Sequence, residues 1–116
     1  MIIYEQDGRK TTAIIKDAKN DARNRIKNLC GLYFVDHSYD MKDEYRATVG
    51  CYVGDEYDEQ KGKDLASAEV RRQYHRDMDR IVNRFLYEFD RTAHRVEKMR
   101  AKEAKRFVDK VEEIVG

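Results

Sequence analysis

The chain contains no proline and no tryptophan, and its six glycines are thinly spread over 116 residues. Without proline or a Gly/Ser tract there is no linker, and no internal repeat or low-complexity run divides the chain, so one domain is expected. No stretch approaches the roughly 18 apolar residues of a membrane span. No apolar signal-peptide segment follows Met1, so the expectation is an intracellular protein. Cysteine is scarce. Cys30 and Cys51 read as free thiols, because a disulfide framework belongs to oxidising compartments. Charge of one sign is also missing: 24 Lys and Arg face 23 Asp and Glu, for a net +1. The total therefore points neither to nucleic acid nor to a membrane.

What is present is charge in quantity. Asp, Glu, Lys and Arg make up 41% of the residues, against about a quarter in ordinary domains. Apolar residues also reach 41%, with eight tyrosines and four phenylalanines. That content excludes a fully disordered chain.

The N-terminal half has short elements. IIYEQDGRKTTAIIK reads as a hairpin with Asp7-Gly8 at the turn between two β-prone runs. The period then changes. Ala18, Ala22, Ile26 and Leu29 recur at helical spacing, with Asp17 as N-cap and Gly31 as C-cap. LYFVDHSY and EYRATVGCYV read as two further strands; in the second, Tyr45, Ala47, Val49, Cys51 and Val53 alternate onto one face. The pattern is ββαββ, a small antiparallel sheet region over residues 1–54.

Residues 55–116 form a helical region within the same folding unit. From Asp64 to Val115 there is neither Gly nor Pro. Apolar residues hold helical register through this segment and fall on one side of a helical wheel, with Ile81, Phe85, Phe89 and Val96 near its middle. An unbroken helix of this length would extend about 78 Å, while a domain of this size has a radius of gyration of about 13 Å. The helix therefore either folds back, with a turn at Asp90–His94, or finds a partner. A long coiled-coil-like helix is favoured, its stripe (Ile81, Phe85, Phe89, Val96) buried in a homo-oligomer. The class is α+β: a small antiparallel sheet, then a long amphipathic helix or helical hairpin.

The acidic run Asp55, Glu56, Asp58, Glu59 precedes this helix. A calcium loop needs Asp or Asn at its first, third and fifth positions, glycine at the sixth and glutamate at the twelfth. With Gly62 at the sixth, those positions include Tyr57, Lys61 and Ala68, and the template fails. Acids gather where a helix begins because its N-terminus carries partial positive charge; Asp55 or Asp58 would cap it. Gly62 inside the helix marks either a close approach to the strands or a start delayed to Asp64.

From the strand at Tyr45 through GCYVGDEYDEQKGKDLASAEVRR, over residues 45–75, the chain resembles small accessory proteins of bacteriophages and prophages. The resemblance rests on no catalytic motif. It implies a phage-side protein in the bacterial cytoplasm that counters host defence.

The net charge hides a division. Residues 36–64 carry nine acids and four bases, and residues 71–106 carry twelve bases and six acids. Arg72, Arg76, Arg80 and Arg84 step by four; Arg91, Arg95, Lys98, Lys102 and Lys105 continue within about 140° of the wheel, opposite the apolar stripe. This ridge is a solvated helix face, a site for phosphates or an acidic protein surface, or half of a self-association with the acidic segment. The tyrosines of the strand half, Tyr52 and Tyr57 among them, either suit half-buried strands or anchor an interface. His37, His75 and His94 are isolated and match no zinc spacing. There is no phosphate-binding glycine loop and no nucleophile elbow.

The expected function is therefore a non-enzymatic protein without cofactor or metal. As an oligomer it blocks or sequesters a host protein or a phosphate-bearing ligand through Arg72, Arg76, Arg80, Arg84, Arg91, Arg95, Tyr52 and Tyr57. The alternative is a nucleic-acid-binding accessory protein that uses the basic ridge.

Overall fold

A computed structural model describes residues 1–50, 56 and 58–116. Strands β1 (Ile2–Asp7) and β2 (Lys10–Ile15) form the expected hairpin, with Ile2 opposite Ile15 and Asp7 opposite Lys10. Asp7 is thus the last paired residue, and the two-residue loop is Gly8-Arg9, one position later than expected. Gly8 takes φ +57, the positive value that the first loop residue of a tight hairpin adopts and that glycine tolerates.

Helix α1 spans Ala18–Cys30 and buries Ala18, Ala22 and Ile26, while Leu29 points to solvent at 87% exposure. Asp17 holds the N-cap position in the left-handed conformation (φ 53) without a side-chain cap bond. Its carbonyl accepts from Asp21 N–H at 2.9 Å, and the Ala18 N–H is satisfied by the Asp43 carbonyl at 2.8 Å. Gly31 closes the helix at φ 57.

Residues 32–39 do not form the strand expected of them. Short 3-10 turns occupy Gly31–Tyr33 and Ser38–Asp40, and Leu32, Tyr33, Val35 and Tyr39 are all exposed. The Asp36 carboxylate accepts from the Ser38 N–H at 2.9 Å and from its hydroxyl at 2.5 Å. This local bonding competes with a strand ladder, and these bonds hold the Asp36 carboxyl below the usual carboxylate range. The sheet therefore has three described strands, with β3 (Tyr45–Gly50) antiparallel to β2 and order β1-β2-β3. Ile15, Ala13 and Thr11 face Tyr45, Ala47 and Val49 across that pair, and this face meets the core. The alternation expected of β3 holds as far as Val49; Cys51 and Val53 lie outside the described residues.

Helix α2 runs without interruption over Glu59–Val115, 57 residues, so the expected class, α+β with a small antiparallel sheet and a long C-terminal helix, holds, and no turn falls at residues 90–94. Asp58 caps the helix, accepting from Lys61 N–H through its carboxylate at 3.1 Å and from Gly62 N–H through its carbonyl at 3.0 Å. Ala66, Val70, Tyr74 and Ile81 join Ala13, Tyr45 and Ala47 of the sheet and Ala18, Ala22 and Ile26 of α1 in one core. The alanines let the layers approach closely. Gly62 serves the same purpose: a Cβ there would lie 2.8 Å from Thr11 Oγ1. The glycine therefore marks close approach rather than a delayed start. The chain divides into two compact units, Met1–Asn83 and Arg84–Gly116, so the first unit takes in the start of α2 as well as the sheet.

Candidate interaction surfaces

In the first unit, the face of α2 turned to the core carries an acid in apolar register. Asp77 follows Val70 and Tyr74 and precedes Ile81, and it is 6% exposed. Tyr45 Oη donates to Asp77 Oδ2 at 2.5 Å and accepts from the Lys42 N–H at 3.2 Å. Arg80 Nη2 reaches Asp77 Oδ1 at 3.2 Å, and Arg76 Nε lies 3.7 Å from the same oxygen. Burial, reinforced by the bond to Asp77, pushes the Tyr45 phenol up to about 12. Beside it, Tyr74 Oη donates to Asp21 Oδ2 at 2.7 Å and accepts from Arg25 Nη1 at 3.4 Å. Burial and the Asp21 bond raise its pKa as well. The two rings meet edge to face with centroids 5.9 Å apart, a favoured aromatic geometry. These contacts tie α2 to β3 and to α1. Sequence reasoning missed them, although an acid in an apolar register was the available signal.

The basic ridge changes character in consequence. Arg72 forms a two-pronged pair with Glu69, Nε at 3.0 Å and Nη2 at 2.7 Å, which lowers the Glu69 pKa and raises that of Arg72. Arg76 and Arg80 serve Asp77, and Arg84 also engages its surroundings. Arg72 and Arg76 line a shallow groove with His75, Met78, Asp79 and Val82. Arg72, Arg76 and Arg80 keep more than half of their side-chain surface exposed, but Arg72 is paired with Glu69, and Arg76 and Arg80 share Asp77.

In the second unit, Arg91 lies over the Tyr87 ring, 5.9 Å from its centroid. Arg91, Arg95 and Lys98 line another shallow groove with Asp90 and His94. His94 Nδ1 sits 2.9 Å from the Asp90 carbonyl and 3.6 Å from its carboxylate, and that carbonyl and then that charge raise the His94 pKa. Tyr52 and Tyr57 lie outside the described residues. Of the other strand-half tyrosines, Tyr45 is buried, and Tyr33 and Tyr39 stand on the 3-10 turns rather than on a strand.

The apolar stripe also divides. Ile81 is 1% exposed and Phe85 9%, so these two expected interface residues are already buried within the chain. Phe89 and Val96 are 50% and 53% exposed, and Phe107 and Ile114 reach 71% and 77%. The Phe85 and Phe89 rings stack at 6.3 Å.

Among the described residues, no three His, Cys, Asp or Glu side chains are grouped to hold a metal ion, and no helix is long and apolar enough to cross a membrane. Cys30 is a free thiol, partly buried. No protein-family model matches the chain, and neither a curated protein nor a solved structure does.

Proposed function

We propose that the chain is a non-enzymatic interaction protein that works as an oligomer and blocks or sequesters a target. The observation that carries this reading is the exposed apolar stripe of Arg84–Gly116. Phe89, Val96, Met99, Phe107 and Ile114 each keep at least half of their surface in water, and scattered single apolar residues are ordinary whereas an aligned set marks an interface. The resemblance to phage accessory proteins supports a target in a bacterial cytoplasm, either a host defence protein or a phosphate-bearing ligand. The exposed arginines of the ridge supply charge complementarity at the rim, which acts on specificity and on-rate more than on affinity.

The groove lined by Arg91, Arg95 and Lys98 favours the second reading, nucleic-acid binding. Light scattering of the purified chain, with its ultraviolet spectrum, tests both. A mass above one chain and no nucleic-acid absorbance is the expected result. A monomer that carries nucleic acid reverses the order. In that case the logarithm of affinity should fall against the logarithm of salt with a slope near −3 for about three phosphates, and Arg95→Glu should flatten it.

A further inference from the structure

The exposed face of residues 84–116 holds three charges amid its apolar side chains: Arg100 and Glu103 near its middle, and Lys110 at the angular position of Thr92. Counted outward from the point between Ala101 and Lys102, four pairs of positions on this face fall symmetrically. Arg100 mirrors Glu103, Val96 mirrors Phe107, Thr92 mirrors Val111, and Phe89 mirrors Ile114. The apolar members of these pairs are all exposed. Val96 and Phe107 stand eleven residues apart, as do Thr92, Glu103 and Ile114, a repeat close to the natural helical period, so helices that pair through it need little left-handed supercoiling. Arg100 has no acidic partner among the described residues, and Glu103 meets Arg106 at 2.9 Å from the edge of the face, leaving its second oxygen for another donor.

We propose that this face pairs antiparallel with the same face of a second copy, in the register that sets Val96 against the partner's Phe107 and Arg100 against the partner's Glu103. The proposal rests on the oligomeric reading above and adds orientation and register to it. Charge decides the orientation. A parallel pair aligns Arg100 with the partner's Arg100 and Glu103 with the partner's Glu103, placing like charges together where water is being removed. The antiparallel pair turns the same four groups into two opposite-charge contacts at its centre and leaves the apolar pairs to close both ends.

Disulfide trapping of the full chain, with Cys30 and Cys51 changed to Ser and the solution mass checked as unchanged, tests it. A cysteine pair bridges only when its Cα atoms lie within about 7 Å. A mixture of Val96→Cys and Phe107→Cys chains should cross-link on oxidation, and neither variant alone should. If Val96→Cys alone cross-links, the helices are parallel and this inference fails while the oligomeric reading stands. An oligomer in which no combination cross-links overturns the register in the same way. A single-chain mass at every concentration overturns both. Independently, Arg100→Glu should raise the dissociation constant roughly tenfold, as two modest pairs are lost per dimer. Adding Glu103→Arg should restore it; failure to restore counts against the register.

Discussion

From Glu59 to Asn83, α2 turns Ala66, Val70, Tyr74 and Ile81 into a core shared with the sheet and α1, and its one inward acid, Asp77, is met by the Tyr45 hydroxyl. From Arg84 to Val115 the same helix keeps the same apolar period, yet Val96, Phe107 and Ile114 are exposed, and the polar contacts are one turn long: His94 to Asp90, Thr92 to Glu88, Arg106 to Glu103. Periodicity thus says which side of a helix is apolar and not what covers it. The first part of the helix is held by long-range contacts, and the second must draw its stability from local ones or from another chain.

The sharpest way to break this contrast is to truncate one residue from each part. Ile81→Ala should cost about 2–5 kcal/mol in urea denaturation, because it opens a cavity in a packed core. Val96→Ala, at low protein concentration where chains are dissociated, should cost under about 0.5 kcal/mol. Equal losses would erase the distinction.

Next comes the buried phenol. Tyr45→Phe leaves Asp77 Oδ2 without its phenol donor, Arg80 remaining on Oδ1, and should cost about 1–3 kcal/mol. Burial of the phenol, together with the same bond, sets a pH dependence. The phenol is held above its ordinary 10.0, at about 12, so its stabilising contribution is complete below pH 10 and is lost as pH rises from 10.0 to about 12. Denaturation followed over that window should show stability falling in the wild type and a weaker slope in Tyr45→Phe; identical slopes would remove Tyr45 from the account.

The smallest effect belongs to the C-terminal half. His94 has a raised pKa owing to Asp90 alone among its leading causes. Its protonated form is therefore favoured in the helix, and that contribution, present below pH 6.5, disappears as pH climbs through the raised value. A proton NMR titration should place His94 above 6.5 and should move it downward in Asp90→Asn and in high salt.

The legible parts were those whose cause is local. β-branched runs around Asp7-Gly8 foretold the hairpin, Ala18, Ala22 and Ile26 the first helix, and 52 residues without Gly or Pro the long one. Asp58 was readable as a cap for the same reason. LYFVDHSY misled because its aromatic and β-branched residues suit a strand, while the Asp36–Ser38 bonds supply a turn and no strand edge takes the segment up. The ridge was placed on the correct side of the helix, but its pairings were not legible: Arg80 and Arg76 meet an acid that is itself bound by a tyrosine 32 residues earlier. Nor did the sequence mark where the covered stretch of the stripe ends, since Ile81 and Phe89 are alike in type and differ only in surroundings.

Gly62 and Asp77 lie 15 residues apart on α2, about 22 Å along its axis, one touching Thr11 and the other Tyr45. Two such points leave a rod neither rotation nor slide. Turning α2 by one residue would carry Lys61 or Lys63 into the Thr11 gap and take Asp77 away from its hydroxyl. Shifting it by one turn would offer that hydroxyl Gln73 or Ile81. Hydrophobic contact tolerates either slip at modest cost; a missing side chain and a buried acid do not. During evolution, then, the stretch between these two positions is expected to drift within narrow limits, whereas the exposed residues beyond Asn83 face no such pair of fixed points and are expected to vary more widely.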